Sequence, residues 1–127
     1  MGISKFKNET YADFSKSANR TKQEKALSAV RATLGREYPI VVGSERIHTS
    51  DKFRSYNPSK KEEVIGVFQK GDVPIARKAV DTAFAAFEGW KTVPYRKRAE
   101  YLFKAANVMR KRRFDLNAVM ILEVGKS

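Results

Sequence analysis

The sequence predicts a mixed α/β fold in which amphipathic helices pack with antiparallel β-hairpin strands. Two stretches, before residue 35 and after residue 72, repeat apolar residues at helical three- and four-residue spacing. Between them, short runs rich in β-branched residues are separated by glycine, proline and polar clusters. We therefore divide the chain into an arm (1–14), a helix (15–35), β-hairpins (38–69) and further helices (72–125).

The first helix has candidate signals at both ends. Asp13 and Ser15 are residue types that accept backbone N–H groups at a helix N-terminus. Gly35 suits the position after the helix, where a left-handed backbone is wanted. The helix is amphipathic, because one face collects Ala26, Leu27, Val30 and Leu34.

The β region predicts two hairpins. Residues 38–42 and 45–49 flank Gly43-Ser44, and a glycine at the first loop position suits a primed turn. Pro39 cannot donate a ladder hydrogen bond, so we expect it at a strand start or edge. A second hairpin pairs residues 53–56 with 64–68, and we assign the polar residues 59–63 to its turn.

Three amphipathic helices follow, and we expect them to form a layer on a sheet. Asp72 caps the first, which runs to about Trp90 and tolerates Pro74 in its first turn. Pro94 opens the second helix, and Gly125 caps the third, which covers residues 114–124. The apolar stripes are Ala76, Val80, Ala83, Phe84 and Phe87; Ala99, Leu102, Phe103, Ala106 and Met109; and Phe114, Ala118, Ile121 and Leu122.

Composition narrows the class of protein. With 42% hydrophobic and 31% charged residues in 127, the chain is typical of soluble globular proteins. Cysteine is absent, which excludes a disulfide scaffold and fits a reducing cytosol. No apolar run approaches the ~18 residues of a membrane span, and the N-terminus lacks the apolar core of a signal peptide. We expect a cytoplasmic protein without membrane contact.

A net charge of +12 is typical of proteins that bind nucleic acid, so we considered whether this chain does. The basic run 110–113, with further cations at 96–98 and 104, could contact phosphates. Cations near a helix C-terminus also favour its dipole and a solvated surface. No recognisable nucleic-acid module accompanies the run, so we favour the second interpretation. We likewise interpret His48 as a partly exposed strand residue and Trp90 as a packing residue.

Familiar catalytic and cofactor motifs are missing. The ending Gly125-Lys126-Ser127 lacks the glycine that a phosphate-binding loop needs at position 120, which is Met. The seven glycines do not have the spacing of a dinucleotide fingerprint. No serine or lysine lies beside a plausible base by spacing. From these residues alone, the chain is not a complete enzyme.

Three signals follow one another along the chain: Asn57-Pro58, Phe87 with Trp90 before Pro94, and the ending 122–126. With them, the chain resembles the N-terminal portion of an aldehyde dehydrogenase over essentially its whole length. The long first helix leading into residues 34–39 (LGREYP) resembles the branch that oxidises L-glutamate γ-semialdehyde. Ser44 departs from the second glycine usual at that turn, which leaves the turn type open.

The resemblance implies an NAD-dependent oxidation of L-glutamate γ-semialdehyde to L-glutamate in proline degradation, in a homo-oligomer. A cysteine thiolate attacks the aldehyde, hydride passes to NAD, and water releases the acid. Family members are about four times this length, and their cysteine, glutamate base, asparagine and cofactor-binding glycines match no position here. We therefore expect a truncated piece that is inactive alone, with no catalytic or cofactor-binding residue in this chain.

The resemblance also implies a structural monovalent cation near the Asn-Pro turn. The matching positions are Ser55, Tyr56 and Glu123. Oxygen ligands from a turn and a helix end suit a hard cation. Two alternatives stay open at this point: a small basic helical protein that binds nucleic acid, or a truncated product with no function of its own.

Overall fold

The computed structural model describes residues 7–126, and its elements confirm the mixed class. Residues 1–6 of the predicted arm, and Ser127, lie outside the described residues. In chain order the elements are α1 (Ser17–Arg31), β1 (Glu37–Tyr38), β2 (Ile40–Val42), β3 (Glu45–Ile47), β4 (Lys52–Asn57), β5 (Lys60–Gln69), α2 (Val73–Trp90), α3 (Tyr95–Lys111) and α4 (Arg113–Val124). No helix within residues 7–126 is long and apolar enough to cross a membrane.

Helix α1 is shorter than predicted, and neither candidate cap was right. Lys16 holds the N-cap position without a side-chain hydrogen bond. The Asp13 carboxylate instead accepts the backbone N–H and the hydroxyl of Ser15, at 3.0 and 2.6 Å. These bonds lower the pKa of Asp13. A short polar side chain that is satisfied by its own turn competes with the helix, so α1 begins two residues later than expected.

The C-terminal end of α1 also differs from the prediction. Two tight turns follow it, in which the N–H groups of Thr33 and Leu34 donate to carbonyls three residues earlier. Gly35 does adopt the predicted left-handed conformation, with φ of 74°. Its N–H donates to the carbonyl of Ile65 at 3.2 Å. Gly35 therefore directs the chain towards β5, four residues beyond the helix end, instead of capping α1.

The strands form two sheets. One has the order β1-β5-β4, in which β4 and β5 are antiparallel and β1 joins β5 in parallel. The other is the β2–β3 hairpin, which confirms the first predicted turn. Gly43 has φ of 59° whereas Ser44 does not have a positive φ, so the turn fits type II′. Pro39 lies between β1 and β2, where its missing N–H costs neither sheet a hydrogen bond.

The second hairpin has a tighter turn than predicted. We assigned residues 59–63 to the turn, but β5 begins at Lys60, which pairs with Asn57. The Asn57 side chain replaces the longer turn, because its Oδ1 accepts the N–H of Ser59 at 2.9 Å. The register shifts on either side of Tyr56, which indicates a bulge there. Polar residues at 60–62 extend β5 because they are exposed and need no apolar partner.

The three C-terminal helices begin and end close to the predicted residues. Asp72 Oδ1 accepts the N–H of Ile75 at 2.9 Å, Pro74 lies in the first turn, and Pro94 precedes α3. Gly125 ends α4 in the predicted left-handed conformation, with φ of 68°. The core joins α4 to α1 and contains Ala26, Ala118 and Leu122. No residue of α2 or α3 is buried, so their apolar stripes remain exposed in this chain.

We predict that Gly125→Ala destabilises the fold by about 1–3 kcal/mol. A Cβ at this position would lie 3.1 Å from Pro58 Cγ, and the positive φ strains any L-residue. Urea denaturation followed by circular dichroism measures the effect. The matched control is Gly89→Ala, at a helical position with open space, which should stabilise slightly. Equal effects of the two substitutions would contradict the role of Gly125 at the α4–turn contact.

Candidate functional site

A polar cluster around Glu37 connects the two sheets. Glu37 lies on β1, and its carboxylate accepts from Lys52 Nζ of β4 at 3.0 Å. His48, directly after β3, has its Nδ1 3.1 Å from Glu37 Oε1, and Gln69 Nε2 donates to the same oxygen at 3.0 Å. The hydrogen bond from Lys52, then those from His48 and Gln69, lower the pKa of Glu37 to about 2. The carboxylate is thus held as an anion.

Gln69 forms the buried side of this cluster. Its side chain is buried, and Nε2 also donates to the carbonyl of Tyr38 at 3.1 Å. Its Oε1 accepts the backbone N–H of Thr49 at 2.8 Å. The amide therefore satisfies backbone groups on both sides of the gap between the sheets, as buried polar groups require. The cluster thus joins one carboxylate, one amide, one lysine and one histidine, and its contacts connect the two sheets.

Sequence reasoning missed this cluster. It interpreted His48 as a partly exposed residue, and the imidazole side chain is indeed 58% exposed. It lies just beyond β3 rather than within a strand, and its contact with Glu37 joins residues 11 positions apart. Neither spacing nor composition signals that contact. It arises only because β1 and β3 belong to different sheets that meet at this point.

We expect acid to remove the contribution of Glu37 to stability. Its pKa is lowered from 4.5 to about 2 on folding, so the contribution is present above pH 4.5 and is lost as pH falls through about 2. Glu37→Gln should therefore be less stable than the parent at neutral pH and lose less stability between pH 4.5 and 2. Denaturation midpoints across that range measure this. Glu62→Gln, at an exposed β5 residue, is the control and should follow the parent; identical profiles for all three would contradict the prediction.

The candidate cation residues lie on two elements that pack together. Ser55 and Tyr56 flank the register shift of β4, and Glu123 is exposed in the last turn of α4. Gly125, at the end of α4, lies against the turn formed by Pro58 and Ser59. The structure thus brings the helix end and the Asn-Pro turn together, as a shared site would need. Among residues 7–126, no three His, Cys, Asp or Glu side chains cluster as a metal site.

The basic run 110–113 makes contacts that the sequence did not indicate. Arg110 forms an ion pair with Glu9, and Arg113 Nη2 donates to the carbonyl of Thr10 at 2.7 Å. Arg112 lies 3.7 Å from the carboxylate of Asp115. Arg110 and Lys111 occupy the last turn of α3, where cations favour the helix dipole. Intramolecular partners thus engage Arg110, Arg112 and Arg113 in this structure.

The largest exposed feature is apolar. The outer stripes of α2 and α3 include Val80, Phe84, Leu102 and Met109, and all four are more than half exposed. The ring centroids of Trp90 and Tyr101 are 5.7 Å apart, but Trp90 is 44% exposed, so its packing role stays a prediction. Exposed apolar faces of this kind are typical of surfaces that pack on further protein. Within residues 7–126, nothing covers it.

In the connection between β5 and α2, a strand leads into a helix N-terminus, and this connection contains a single glycine, Gly71. The Asp72 carboxylate accepts the N–H of Ile75, and its negative charge would repel a phosphate. This connection therefore does not fit a dinucleotide pyrophosphate.

Comparison with known proteins gives consistent matches. The aldehyde dehydrogenase family model matches residues 46–127. A 1-pyrroline-5-carboxylate dehydrogenase of Anoxybacillus flavithermus is 40% identical over 98% of this chain and 24% of its own length. The corresponding enzyme of Geobacillus thermodenitrificans is 41% identical, with the same coverage. The chain thus spans about a quarter of the length of these curated relatives.

Solved structures agree with the fold. A Thermus 1-pyrroline-5-carboxylate dehydrogenase with bound NAD superposes with a TM-score of 0.94 at 37% identity. The match covers 100% of this chain and 25% of that one. The Mycobacterium tuberculosis enzyme, at 22% identity and a TM-score of 0.86, shares the fold. Because the family model covers well over half of the sequence, this chain belongs to the aldehyde dehydrogenase family.

Proposed function

We propose that this chain is the N-terminal portion of an NAD-dependent 1-pyrroline-5-carboxylate dehydrogenase. The parent enzyme would oxidise L-glutamate γ-semialdehyde to L-glutamate in proline degradation, in the cytoplasm and as a homo-oligomer. The observation that carries the proposal is the match to such enzymes over 98% of this chain at about 40% identity. The NAD-bound Thermus relative supports the choice of cofactor.

In this proposal the chain contributes structural support to the parent enzyme and supplies none of its catalytic residues. It contains no cysteine to supply the thiolate, and the connection between β5 and α2 does not fit the pyrophosphate of NAD. When bound to the rest of the parent, NAD supplies the hydride acceptor. The exposed face of α2 and α3 supports this role, since apolar side chains such as Phe84 and Leu102 gain stability when further protein covers them. The Glu37 cluster would hold the two sheets in a fixed relative position.

The test is to recover the native protein from its source cells with an antibody against residues 1–127. We expect a species of about four times the mass of this 14.4 kDa chain, as its relatives' lengths suggest. That species should reduce NAD when given 1-pyrroline-5-carboxylate. Recovery of a single species at the size of the chain, without such activity, would overturn the proposal.

We also propose that Ser55, Tyr56 and Glu123 hold a structural monovalent cation in the parent. The support is the position of the α4 end against the Pro58-Ser59 turn, close to the strand that carries the first two residues. Backbone carbonyls at a bulged strand and a carboxylate are suitable oxygen ligands for a hard cation. Sodium should raise the melting temperature of the full-length protein relative to a bulky organic cation, and Glu123→Gln should abolish the difference. An identical melting temperature in both salts would refute the site.

A further inference from the structure

Residues 7–13, named the strap here, lie across the joint between α3 and α4. Two polar contacts hold them there. Arg110, at the end of α3, pairs with the carboxylate of Glu9, and Arg113, at the start of α4, donates to the carbonyl of Thr10 at 2.7 Å. Both partners on the joint are arginines, whose guanidinium groups hold a carboxylate and a carbonyl with defined geometry. The contacts join residues about 100 positions apart in the sequence.

Among the described residues, the strap buries little apolar surface. Its large apolar side chain, Tyr11, is 99% exposed, and only the small Ala12 is partly buried. Within the described part of the chain, the backbone of residues 7–12 forms no hydrogen bond with another backbone group. The strap is therefore held by charge, and charge contacts at an exposed site weaken as salt screens them.

The base of the strap is fixed more firmly than its outer part. Asn19 Nδ2 donates to the carbonyl of Asp13 at 2.9 Å, and Arg20 donates to the carbonyl of Phe14 at 3.2 Å. Both donors belong to α1, which packs on α4. Motion of the strap would therefore be confined to residues 7–12, and their release would leave α1 and the helix core undisturbed.

We propose that the strap is docked on the α3–α4 joint at low ionic strength and detaches as ionic strength rises. An exposed ion pair of this type shifts a docking equilibrium by about two- to fivefold, so both forms are populated and salt can move the balance.

Spin labelling tests this directly. Because the chain contains no cysteine, Tyr11→Cys provides a single attachment point for a nitroxide at an exposed position without contacts of its own. We expect the mobile fraction of the label to rise by about two- to fivefold between 0.05 and 0.5 M NaCl. Glu9→Gln and Arg110→Gln, each in the labelled chain, should be mobile at low salt and insensitive to further salt.

The control is Glu24→Gln, which removes an exposed carboxylate from α1 and should behave like the labelled parent. Circular dichroism at each salt concentration establishes that helix content is constant, so mobility reports the strap alone. Equal mobility of the parent at both salt concentrations would overturn the proposal. So would a Glu24→Gln variant that matches Glu9→Gln, because the effect would then reflect net charge and not the specific pair.

Discussion

Replacement of Leu122 by alanine is expected to destabilise the chain by about 2–5 kcal/mol, the largest effect of any single substitution considered for this fold. Leu122 is only 2% exposed, and beside it Ala118 is fully buried against α1. The substitution removes apolar contacts and leaves a cavity where α1, α4 and β4 meet. Domains of this size are stable by only about 5–15 kcal/mol, so the variant should unfold at much lower urea.

Leu102→Ala is the matched control for this experiment. It makes the same chemical change in α3, where the side chain is 73% exposed, and should alter stability by no more than about 0.5 kcal/mol. Urea titrations of both variants, followed by circular dichroism at 222 nm, measure the difference. Comparable losses in the two variants would show that the core does not lie between α1 and α4.

The second large effect concerns activity. The isolated 127-residue chain should produce no NADH from 1-pyrroline-5-carboxylate and NAD, whereas a full-length relative should do so under the same conditions. The family's covalent chemistry needs a thiolate, and this sequence contains no cysteine. Absorbance at 340 nm with increasing chain concentration is the measurement.

Contaminating enzyme from the expression host is the main source of a false signal in that assay. A thiol-alkylating reagent separates the two cases, since it inactivates a cysteine enzyme but leaves this chain without a target. NADH formation that scales with the chain, survives alkylation and co-purifies through two columns would contradict the prediction. Such a result would require a non-thiol nucleophile that neither the sequence nor the structure indicates.

The exposed face of α2 and α3 connects the proposed function with the behaviour of the isolated chain. We expected these helices to form a layer on a sheet, but no residue of α2 or α3 is buried. Their apolar pattern says only that some apolar partner is needed. In this chain α2 contacts the β2–β3 hairpin at its edge, through Thr82 beside Gly43 and the pair of Lys78 with Glu45. The broad outer face stays uncovered, as the proposal of a longer parent would require.

Features set by neighbouring residues could be predicted from the sequence alone. The cap at Asp72, the position of the turn at Gly43, and the left-handed end of α4 at Gly125 each depend on contacts within a few positions. Helical periodicity likewise placed α2, α3 and α4 to within one or two residues. Local hydrogen bonds and backbone preferences depend on residues only a few positions apart, so short sequence patterns suffice to identify them.

Features that join distant positions were decided only by the tertiary structure. The parallel pairing of β1 with β5, the Glu37 cluster and the contacts of Arg110 and Arg113 with the strap were all missed. The tight turn at Asn57 was missed as well, because polar residues at 60–62 resemble a loop until a paired strand accommodates them. Each depends on distant chain segments meeting, and no local pattern specifies which segments meet. The sequence determined the elements and, by resemblance, the family; packing determined which charges and strands became partners.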